Sequence, residues 1–439
     1  MIEPTPLAGL IEVLILTILC LMSVPIAFSL GIVGLGAVLL WYGTIDAPFT
    51  MAAVSAWTNS YSYTLTTLPL FILMGTIIAH CELGRDAYDC FYKWLGKIRG
   101  GLASVTTLTC GVFGCITGST ASTIAAIGGI ANPEMKKRGY SVELRLGSIA
   151  CGGCLANLIP PSIIAIIYCI ITEESVGRVF MAILIPGVIL TIFYVLTVFI
   201  WARINPNISP LVKESFTLKE KLISLKGPVP IALVFVVMLG GIYTGFFSPT
   251  EAASIGFVSA VVLTLVIKRL TWQRFKAAMV DTIRINTMIM LVIMGAFLFT
   301  YSISLTHLGD SIRDLVVGLG GPPIASMFLI AFVFIILGCF LDTFAIMVLF
   351  IPLFYPTVMG LGFDPVWYGV LSVVLVEIAL ITPPIAGNIY VTQTLEPEAP
   401  TIAVIKGVLP FYAADILLVV LLVFFPQIAM WLPSMMMGG

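Results

Sequence analysis

Long apolar segments separated by short polar ones recur from one end of the chain to the other. A helix needs about 20 predominantly apolar residues to cross a bilayer, and most of these segments approach or exceed that length. In the first half of the chain we predict membrane spans at residues 7–23, 25–42, 66–81, 145–172 and 178–202. In the second half we predict them at residues 228–246, 248–267, 286–302, 366–395 and 402–431. The pattern indicates an all-α polytopic membrane protein without a separate soluble domain.

Two further apolar stretches, residues 101–132 and 321–360, lie between the third and fourth span of each half. Each is interrupted midway by small and polar residues. Basic residues flank the first stretch on both sides, namely Arg85, Lys93, Lys97, Arg99, Lys136, Lys137, Arg138 and Arg145. Because short basic loops stay in the cytoplasm, this stretch begins and ends on the same side of the membrane. We predict that each stretch is a re-entrant helical hairpin or a tight helical pair.

The two halves of the chain repeat each other. Prolines and glycines recur in the same order and at a nearly constant spacing: Pro25 with Pro249, Leu83-Gly84 with Leu308-Gly309, Pro133 with Pro356, Gly139 with Gly362, and Pro160-Pro161 with Pro383-Pro384. At this spacing Ser119-Thr120 falls on Asp342-Thr343. So many pairs in register predict two copies of one structural unit of about 200 residues.

The distribution of charge predicts how the copies are oriented. If both flanks of residues 101–132 are cytoplasmic, every Lys and Arg except Arg178 and Arg313 falls on the cytoplasmic side, and both chain termini are periplasmic. Each copy then has an odd number of full crossings, so the second copy is inverted relative to the first. We therefore predict two inverted repeats, each with five crossing helices and one re-entrant helical hairpin, which is the construction of many secondary transporters.

Composition agrees with this class and excludes others. Hydrophobic residues make up 60% of the chain and charged residues 10%, whereas soluble domains carry about 25% charged residues. The formal net charge is −1, so no basic surface suggests nucleic-acid binding. The first nine residues contain Glu3 and no Lys or Arg. We therefore expect residues 10–40 to be mature spans rather than a cleaved signal peptide.

Four breaks in the apolar pattern carry the candidate chemistry. Each repeat has one break at its hairpin tip and one Pro-Pro break in the next span: Cys115–Thr123, Ala156–Ser162, Gly338–Thr343 and Ile381–Asn388. Irregular backbone at membrane depth must line a protein cavity. Proline frees a carbonyl one turn earlier, and carbonyls and hydroxyls are hard oxygen ligands that suit Na⁺ better than a transition metal. Helix N-termini at the breaks would favour an anionic group on the substrate.

Some side chains leave two interpretations open. An ionisable residue in apolar surroundings is costly without a partner, so Asp342 either binds a cation or pairs with a local donor and holds the hairpin. Glu377 in the next span either tunes the site or is structural. Cys151-Gly-Gly-Cys154 has the spacing of a redox or metal motif. Because no His or Lys stands nearby to activate a thiol, we interpret these cysteines as small packing residues.

At these breaks the chain resembles the large membrane subunit of tripartite ATP-independent periplasmic (TRAP) transporters. The resemblance covers essentially the whole chain, and the motifs that carry it are Thr117-Gly-Ser-Thr-Ala-Ser122, Leu158-Ile-Pro-Pro-Ser162, Phe246-Phe-Ser-Pro-Thr-Glu-Ala252, Leu341-Asp342 and Glu377-Ile-Ala-Leu-Ile-Thr-Pro-Pro384. It implies Na⁺-driven, elevator-type import of a small organic acid, usually a carboxylate and sometimes a sulfonate, across the bacterial inner membrane.

The resemblance also implies two partners, a small four-helix membrane subunit and a periplasmic substrate-binding protein that delivers the ligand. The sequence begins directly with the large-subunit pattern, so we expect the small subunit to be a separate chain. An elevator divides into scaffold and transport domains. We expect scaffold helices at residues 1–81 and 203–302, transport bundles at residues 101–202 and 321–439, and connecting arms at residues 82–100 and 303–320.

The matching motifs imply which residues bind ions and substrate. One Na⁺ site would use residues of the first hairpin tip and the first Pro-Pro break: Gly118, Ser119, Thr120, Asn157 and Pro160. The other would use the equivalent breaks of the second repeat: Asp342, Thr343, Thr382 and Gly387. Substrate-binding candidates at the same breaks are Ser122, Thr123, Ser162 and Asn388. The chain departs from the family at four positions that usually carry Gly, Ser or another small residue. Three of them are threonines here, Thr117, Thr120 and Thr123, and the fourth is Asn157.

Rival functions remain. A dicarboxylate/Na⁺ symporter of the elevator type would have the same topology and work without a binding protein. A channel would also use re-entrant pairs, although paired inverted breaks favour alternating access around a central site. A membrane enzyme is disfavoured, because the sequence has neither His-Glu-x-x-His nor Gly-x-Gly-Asp. The chain also has no Gly-x4-Gly-Lys-Ser/Thr phosphate loop, so we expect no ATP-driven step.

Overall fold

A computed structural model describes residues 3–61, 63–211, 214–318, 321–339, 341–383 and 386–436. All regular structure in these residues is helical and none of them forms a strand, so the all-α prediction is confirmed. The patterns above include residues outside the described part of the chain, among them Lys213, Phe340, Pro384 and Ile385.

The helices follow the same order in both halves. The first half contains α1 (Pro6–Leu21), α2 (Ile26–Tyr42), α3 (Asp46–Ser60), α4 (Thr67–His80), α5 (Leu83–Leu95), α6 (Gly101–Thr117), α7 (Thr120–Lys137), α8 (Val142–Leu158), α9 (Ile163–Thr172) and α10 (Val176–Ile204). The short α11 (Leu218–Ser224) connects it to the second half.

The second half contains α12 (Val229–Tyr243), α13 (Pro249–Val266), α14 (Trp272–Leu305), α15 (Leu308–Gly318), α16 (Pro323–Gly338), α17 (Thr343–Gly360), α18 (Pro365–Ile381), α19 (Gly387–Gln393), α20 (Thr401–Phe424) and α21 (Gln427–Met436). α1 and α2 correspond in order to α12 and α13, and α5–α10 correspond to α15–α20. The long α14 stands where the first half has α3 and α4. The inverted orientation of the second copy stays a prediction.

Three helix boundaries differ from the sequence prediction. α3 was not predicted, because its Thr, Ser and Asn residues interrupt the apolar pattern. α14 extends over 34 residues, well before the predicted start at residue 286, because its charged first turns hid the helix. The predicted span at residues 402–431 was wrong as a single helix: α20 ends at Phe424, and α21 begins after Pro426, which has no N–H to continue the helical hydrogen bonds.

Each predicted break separates two helices. α6 and α7 meet at Gly118, which adopts a left-handed conformation at φ +56°. A side chain is excluded there, since a Cβ would lie 2.7 Å from the Pro161 carbonyl oxygen. α8 and α9 together are long and apolar enough to cross a membrane, but the two helices are bent by 43° at the Pro-Pro break. Backbone at these turns leaves the helical hydrogen-bond pattern and exposes carbonyls.

Small residues bring particular helices into close contact. α2 crosses α14 where a Cβ on Gly34 would lie 2.7 Å from the backbone of Leu298. α8 crosses α20 where a Cβ on Gly147 would lie 2.3 Å from the Gly407 carbonyl oxygen. Such close approach is how membrane helices pack without a hydrophobic driving force between them. The first crossing lies among the predicted scaffold helices and the second among the predicted transport helices.

Five described helices are long and apolar enough to cross a membrane by themselves, namely α10, α13, α14, α17 and α20. One of them, α17, is the second helix of the hairpin α16–α17. α5 packs against α6 of the first hairpin, and α15 packs against α17 of the second. The four predicted breaks therefore belong to helices that pack into one region of the molecule.

Candidate functional site

A cavity of about 290 Å³ lies between the two hairpin tips and the two broken helices. Nine of the predicted site residues line it: Gly118, Ser119, Thr120, Ser122, Asn157, Asp342, Thr343, Gly387 and Asn388. These residues come from both repeats and are brought together only by the tertiary fold. Ile285 and Met288 of α14 also line the cavity, which the sequence pattern did not indicate. Their side chains are apolar and gave no chemical signal.

Four predicted site residues do not line this cavity and have other contacts. The Thr123 hydroxyl pairs with the Thr117 hydroxyl at 2.8 Å and joins the two helices of the first hairpin. Ser162 accepts a hydrogen bond from the Ala165 backbone N–H and caps α9. The Thr382 hydroxyl donates to the Ile378 carbonyl at 2.6 Å. Pro160 is buried at the first Pro-Pro break.

The two hairpin tips use equivalent residues as helix caps. Ser119 is the N-cap of α7, and its side chain accepts from the Ser122 backbone N–H. Asp342 is the N-cap of α17, and its Oδ1 accepts from the Ala345 backbone N–H at 2.8 Å. The N-termini of α7, α9 and α17 therefore all lie at the cavity. Their free N–H groups and macrodipoles make this wall electropositive.

Asn157 connects the cavity to a buried carboxylate. Its Nδ2 donates to the Thr120 hydroxyl oxygen at 2.8 Å and to Glu377 Oε1 at 2.6 Å. Glu377 is 1% exposed, and among the described residues its Oε2 has no hydrogen-bond partner. Asn157 and Glu377 belong to different repeats and lie 220 residues apart in the chain. The sequence pattern therefore could not indicate their contact.

A second polar cluster lies at the end of the bundle, near the loop that follows α19. The Arg145 side chain, 3% exposed, donates to Asn132 Oδ1 at 2.6 Å and to Glu396 Oε2 at 2.8 Å. Lys136 donates to Glu396 Oε1 at 2.7 Å. Burial alone would raise the pKa of Glu396, but these hydrogen bonds and charges lower it to about 2. The cluster ties α7 and α8 of the first repeat to the second repeat.

The donor set of the cavity is made of hydroxyls, amides and one carboxylate. These are hard oxygen and nitrogen groups, and the oxygens suit an alkali cation or Mg²⁺-like ion rather than a soft metal. The described residues contain no group of three or more His, Cys, Asp or Glu side chains arranged to hold a metal ion. Cys151 and Cys154 are free and buried in α8, and Asn388 Nδ2 donates to Cys154 Sγ at 3.2 Å.

Comparison with known proteins places the chain in a family. A sequence profile of the family described as tripartite ATP-independent periplasmic transporter, DctM component, matches residues 13–428. The C4-dicarboxylate TRAP transporter large permease protein DctM of Pseudomonas aeruginosa is 33% identical over 407 residues, covering 92% of this chain and 94% of its own length. The ectoine TRAP transporter large permease protein TeaC of Halomonas elongata is 32% identical, covering 84% of this chain and 86% of its own length.

A solved structure shares the fold at low sequence identity. The Alcanivorax borkumensis YdaH transporter superposes with a TM-score of 0.57 at 15% identity, covering 88% of this chain and 90% of that one. The matching relatives are inner-membrane transporter permeases and not enzymes. The chain therefore belongs to the DctM component family of the tripartite ATP-independent periplasmic transporters and is the large membrane permease of such a system.

Proposed function

We propose that this chain imports a small organic anion by Na⁺-coupled, elevator-type transport. The observation that carries the proposal is the cavity shared by both hairpin tips and both broken helices. It combines oxygen ligands for a cation with the electropositive N-termini of α7, α9 and α17 for an anion. A site that attracts a cation and an anion side by side is what a symporter of an anionic solute needs.

The ion part of the proposal rests on Asp342 and the neighbouring hydroxyls. The Asp342 side chain is exposed at the cavity, and capping α17 occupies one lone pair of its Oδ1. The Phe344 backbone is a second hydrogen-bond partner of the carboxylate, and we propose that the lone pairs left over coordinate the cation. A carboxylate at membrane depth is costly alone but is stabilised by a bound cation. Gly118, Ser119 and Thr120 offer equivalent oxygens from the first repeat.

The elevator part rests on how the helices are grouped. α8 packs against α6, α7 and α20, whereas α14 packs against α2 and α4. Contacts between the groups are fewer and include α4 with α6 and α14 with α17. The amphipathic α5 and α15 connect one group to the other along the chain. We propose that the first group carries the cavity across the membrane against the second.

The partner part rests on the family, whose systems are tripartite. We propose a separate small four-helix membrane subunit and a periplasmic binding protein that delivers the solute. The names of the relatives include C4-dicarboxylate and ectoine transporters, so similarity does not select one solute. We propose a carboxylate or sulfonate as the recognised group, because helix N-termini bind both through backbone N–H groups.

An experiment on purified protein tests ion binding before transport. The melting temperature should rise with added NaCl and not with choline chloride at equal ionic strength, because a ligand that binds only the folded state stabilises it. Uptake in proteoliposomes should in addition stop when the binding protein is omitted. Uptake that continues without it, still driven by Na⁺, would favour the binding-protein-independent dicarboxylate/Na⁺ symporter.

A further inference from the structure

Glu377 is a buried carboxylate for which the proposed transport cycle has no assigned purpose. Its Oε1 accepts a hydrogen bond from Asn157, and its Oε2 has no hydrogen-bond partner among the described residues. The thiol of Cys154, a weak donor, lies beside the carboxyl group. No Lys, Arg or His among those residues forms an ion pair with it. Asp415 is also buried in this bundle and is itself acidic, so it supplies no counter-charge. Such a residue is expensive to keep in a membrane protein interior.

The hydrogen bond between the two residues fixes the orientation of the Asn157 amide. In the structure the Nδ2 end of the amide faces the acid, because Nδ2 lies 2.6 Å from Glu377 Oε1 and donates to it. Nδ2 also donates to the Thr120 hydroxyl oxygen at 2.8 Å. Both protons of Nδ2 are then used, one on Glu377 and one on Thr120. The Asn157 Oδ1 atom, on the opposite end of the amide, is left for the cavity that Asn157 lines.

We propose that Glu377 is a positioning residue, which orients Asn157 so that Oδ1 is presented to the cavity as a cation ligand. This inference rests on the proposed Na⁺ coupling and assigns a further residue to that site. Without Glu377 the Asn157 side-chain amide is free to flip by about 180°. The flipped amide would point its N–H groups at the cation. The acid therefore determines whether this wall of the cavity attracts or repels a positive ion, without touching the ion itself.

The replacement Glu377→Gln tests the orientation, because a glutamine can face Asn157 with either its oxygen or its nitrogen. We expect the Na⁺ half-saturation of uptake, and of the Na⁺-induced rise in melting temperature, to increase about tenfold. The double mutant Glu377→Gln/Asn157→Ala should have the same half-saturation as Asn157→Ala within about twofold, because the acid acts through the amide. Additive effects of the two changes would overturn the proposal.

Asp415 provides a matched control. It is also buried, accepts from the Tyr194 hydroxyl at 2.7 Å through one oxygen, and has no partner for the other among the described residues. It does not line the cavity. Asp415→Asn should lower the melting temperature without changing the Na⁺ half-saturation. If it shifts the half-saturation as much as Glu377→Gln, the effect is a general consequence of losing a buried charge, and the proposal fails.

A second variant keeps the test valid if Glu377→Gln alone does not fold. Glu377→Gln/Asn157→Asp exchanges the acid and the amide of this hydrogen-bonded pair and presents an oxygen to the cavity in either orientation. We expect a Na⁺ half-saturation within about threefold of the unmodified protein. Loss of Na⁺ dependence in this variant would overturn the positioning role. Absence of any Na⁺ effect on the unmodified protein would instead refute the proposed function.

Discussion

Ser119 and Asp342 stand at the same place in the two hairpins, each capping the helix that follows. Asp and Asn are equally good N-caps and Ser is close to them, so capping alone does not require a charge at position 342. The two repeats therefore share a structural residue at this position but differ in charge, and the difference falls on the wall of the cavity. This difference in charge is the reason for which we propose that Asp342 binds an ion in addition to capping α17.

Asp342→Asn removes the charge and keeps the cap. We expect the Na⁺ half-saturation of uptake to rise at least about tenfold, with normal membrane insertion, an unchanged melting temperature in the absence of Na⁺, and normal assembly with the small subunit. Asp364→Asn is the matched control, because Asp364 caps α18 by accepting from the backbone N–H groups of Val366 and Trp367 but does not line the cavity. An unchanged half-saturation in Asp342→Asn would remove this residue from the ion site.

Glu396→Gln tests the polar cluster at the end of the bundle. It leaves the buried Arg145 without its carboxylate partner, and breaking a buried pair in this way costs about 3 kcal/mol. The melting temperature at neutral pH should fall, whereas the exposed Glu398 should tolerate the same change. A melting temperature equal to that of the unmodified protein would show that the cluster does not stabilise the bundle.

The pH dependence of this effect has a definite sign. Folding lowers the pKa of Glu396 from 4.5 to about 2, so its carboxylate stabilises the folded state fully above about pH 5. This contribution is lost as the pH falls through the folded pKa. The melting-temperature difference between the unmodified protein and Glu396→Gln should therefore shrink between pH 6 and pH 3, about the range in which the unfolded chain takes up its proton.

At the scale of elements, the broken helices are held in place by glycine contacts. α8 and α20 cross where Gly147 faces Gly407, and a Cβ on Gly407 would lie 2.1 Å from the Glu143 carbonyl oxygen. Backbone atoms cannot move aside as a flexible side chain can, so only glycine fits at these two positions of the crossing. This contact joins the broken helix of the first repeat to the last long helix of the second, and thereby fixes the position of Asn157 relative to the second repeat.

Gly407→Ala should force α8 and α20 apart and destabilise the bundle by about 1–3 kcal/mol. Gly129→Ala is the matched control, since a Cβ on Gly129 in α7 would meet nothing within 4 Å and alanine favours a helix over glycine. Thermal unfolding of the two purified variants measures the difference. Equal melting temperatures would contradict the close crossing.

The sequence predicted the elements that carry local chemistry and missed contacts between distant ones. Hairpin tips and Pro-Pro breaks were readable because Gly and Pro change the backbone locally. α3 was missed because its polar residues carry no apolar period. The contacts of Asn157 with Glu377 and of Arg145 with Glu396 span more than 200 residues. Periodicity cannot indicate such pairs, because they depend on how the two repeats pack.

At the scale of the whole molecule, we propose that a bundle of helices moves against a fixed scaffold. α10 of the bundle meets α12 of the scaffold where a Cβ on Gly177 would lie 3.5 Å from Ile242 Cγ2, and the Tyr243 hydroxyl donates to the Phe180 carbonyl at 3.2 Å. This contact must break and re-form if the bundle slides past the scaffold.

A disulfide between Gly177→Cys and Ile242→Cys should tie the bundle to the scaffold and stop uptake, and reduction should restore it, since a Cβ at position 177 would lie 3.5 Å from the Ile242 side chain. A matched pair, Gly111→Cys and Thr191→Cys, lies inside the bundle, where the Gly111 Cβ would be 3.5 Å from Thr191 Oγ1. Oxidation of that pair should leave uptake intact. Full activity of the oxidised Gly177→Cys/Ile242→Cys protein would count against an elevator.

The most direct test of the central claim is uptake into proteoliposomes that contain this chain and its small subunit, with the binding protein and its solute outside. An inward Na⁺ gradient without ATP should drive accumulation of the solute, and replacing Na⁺ by choline should abolish it. Equal accumulation in choline would contradict Na⁺ coupling through this cavity.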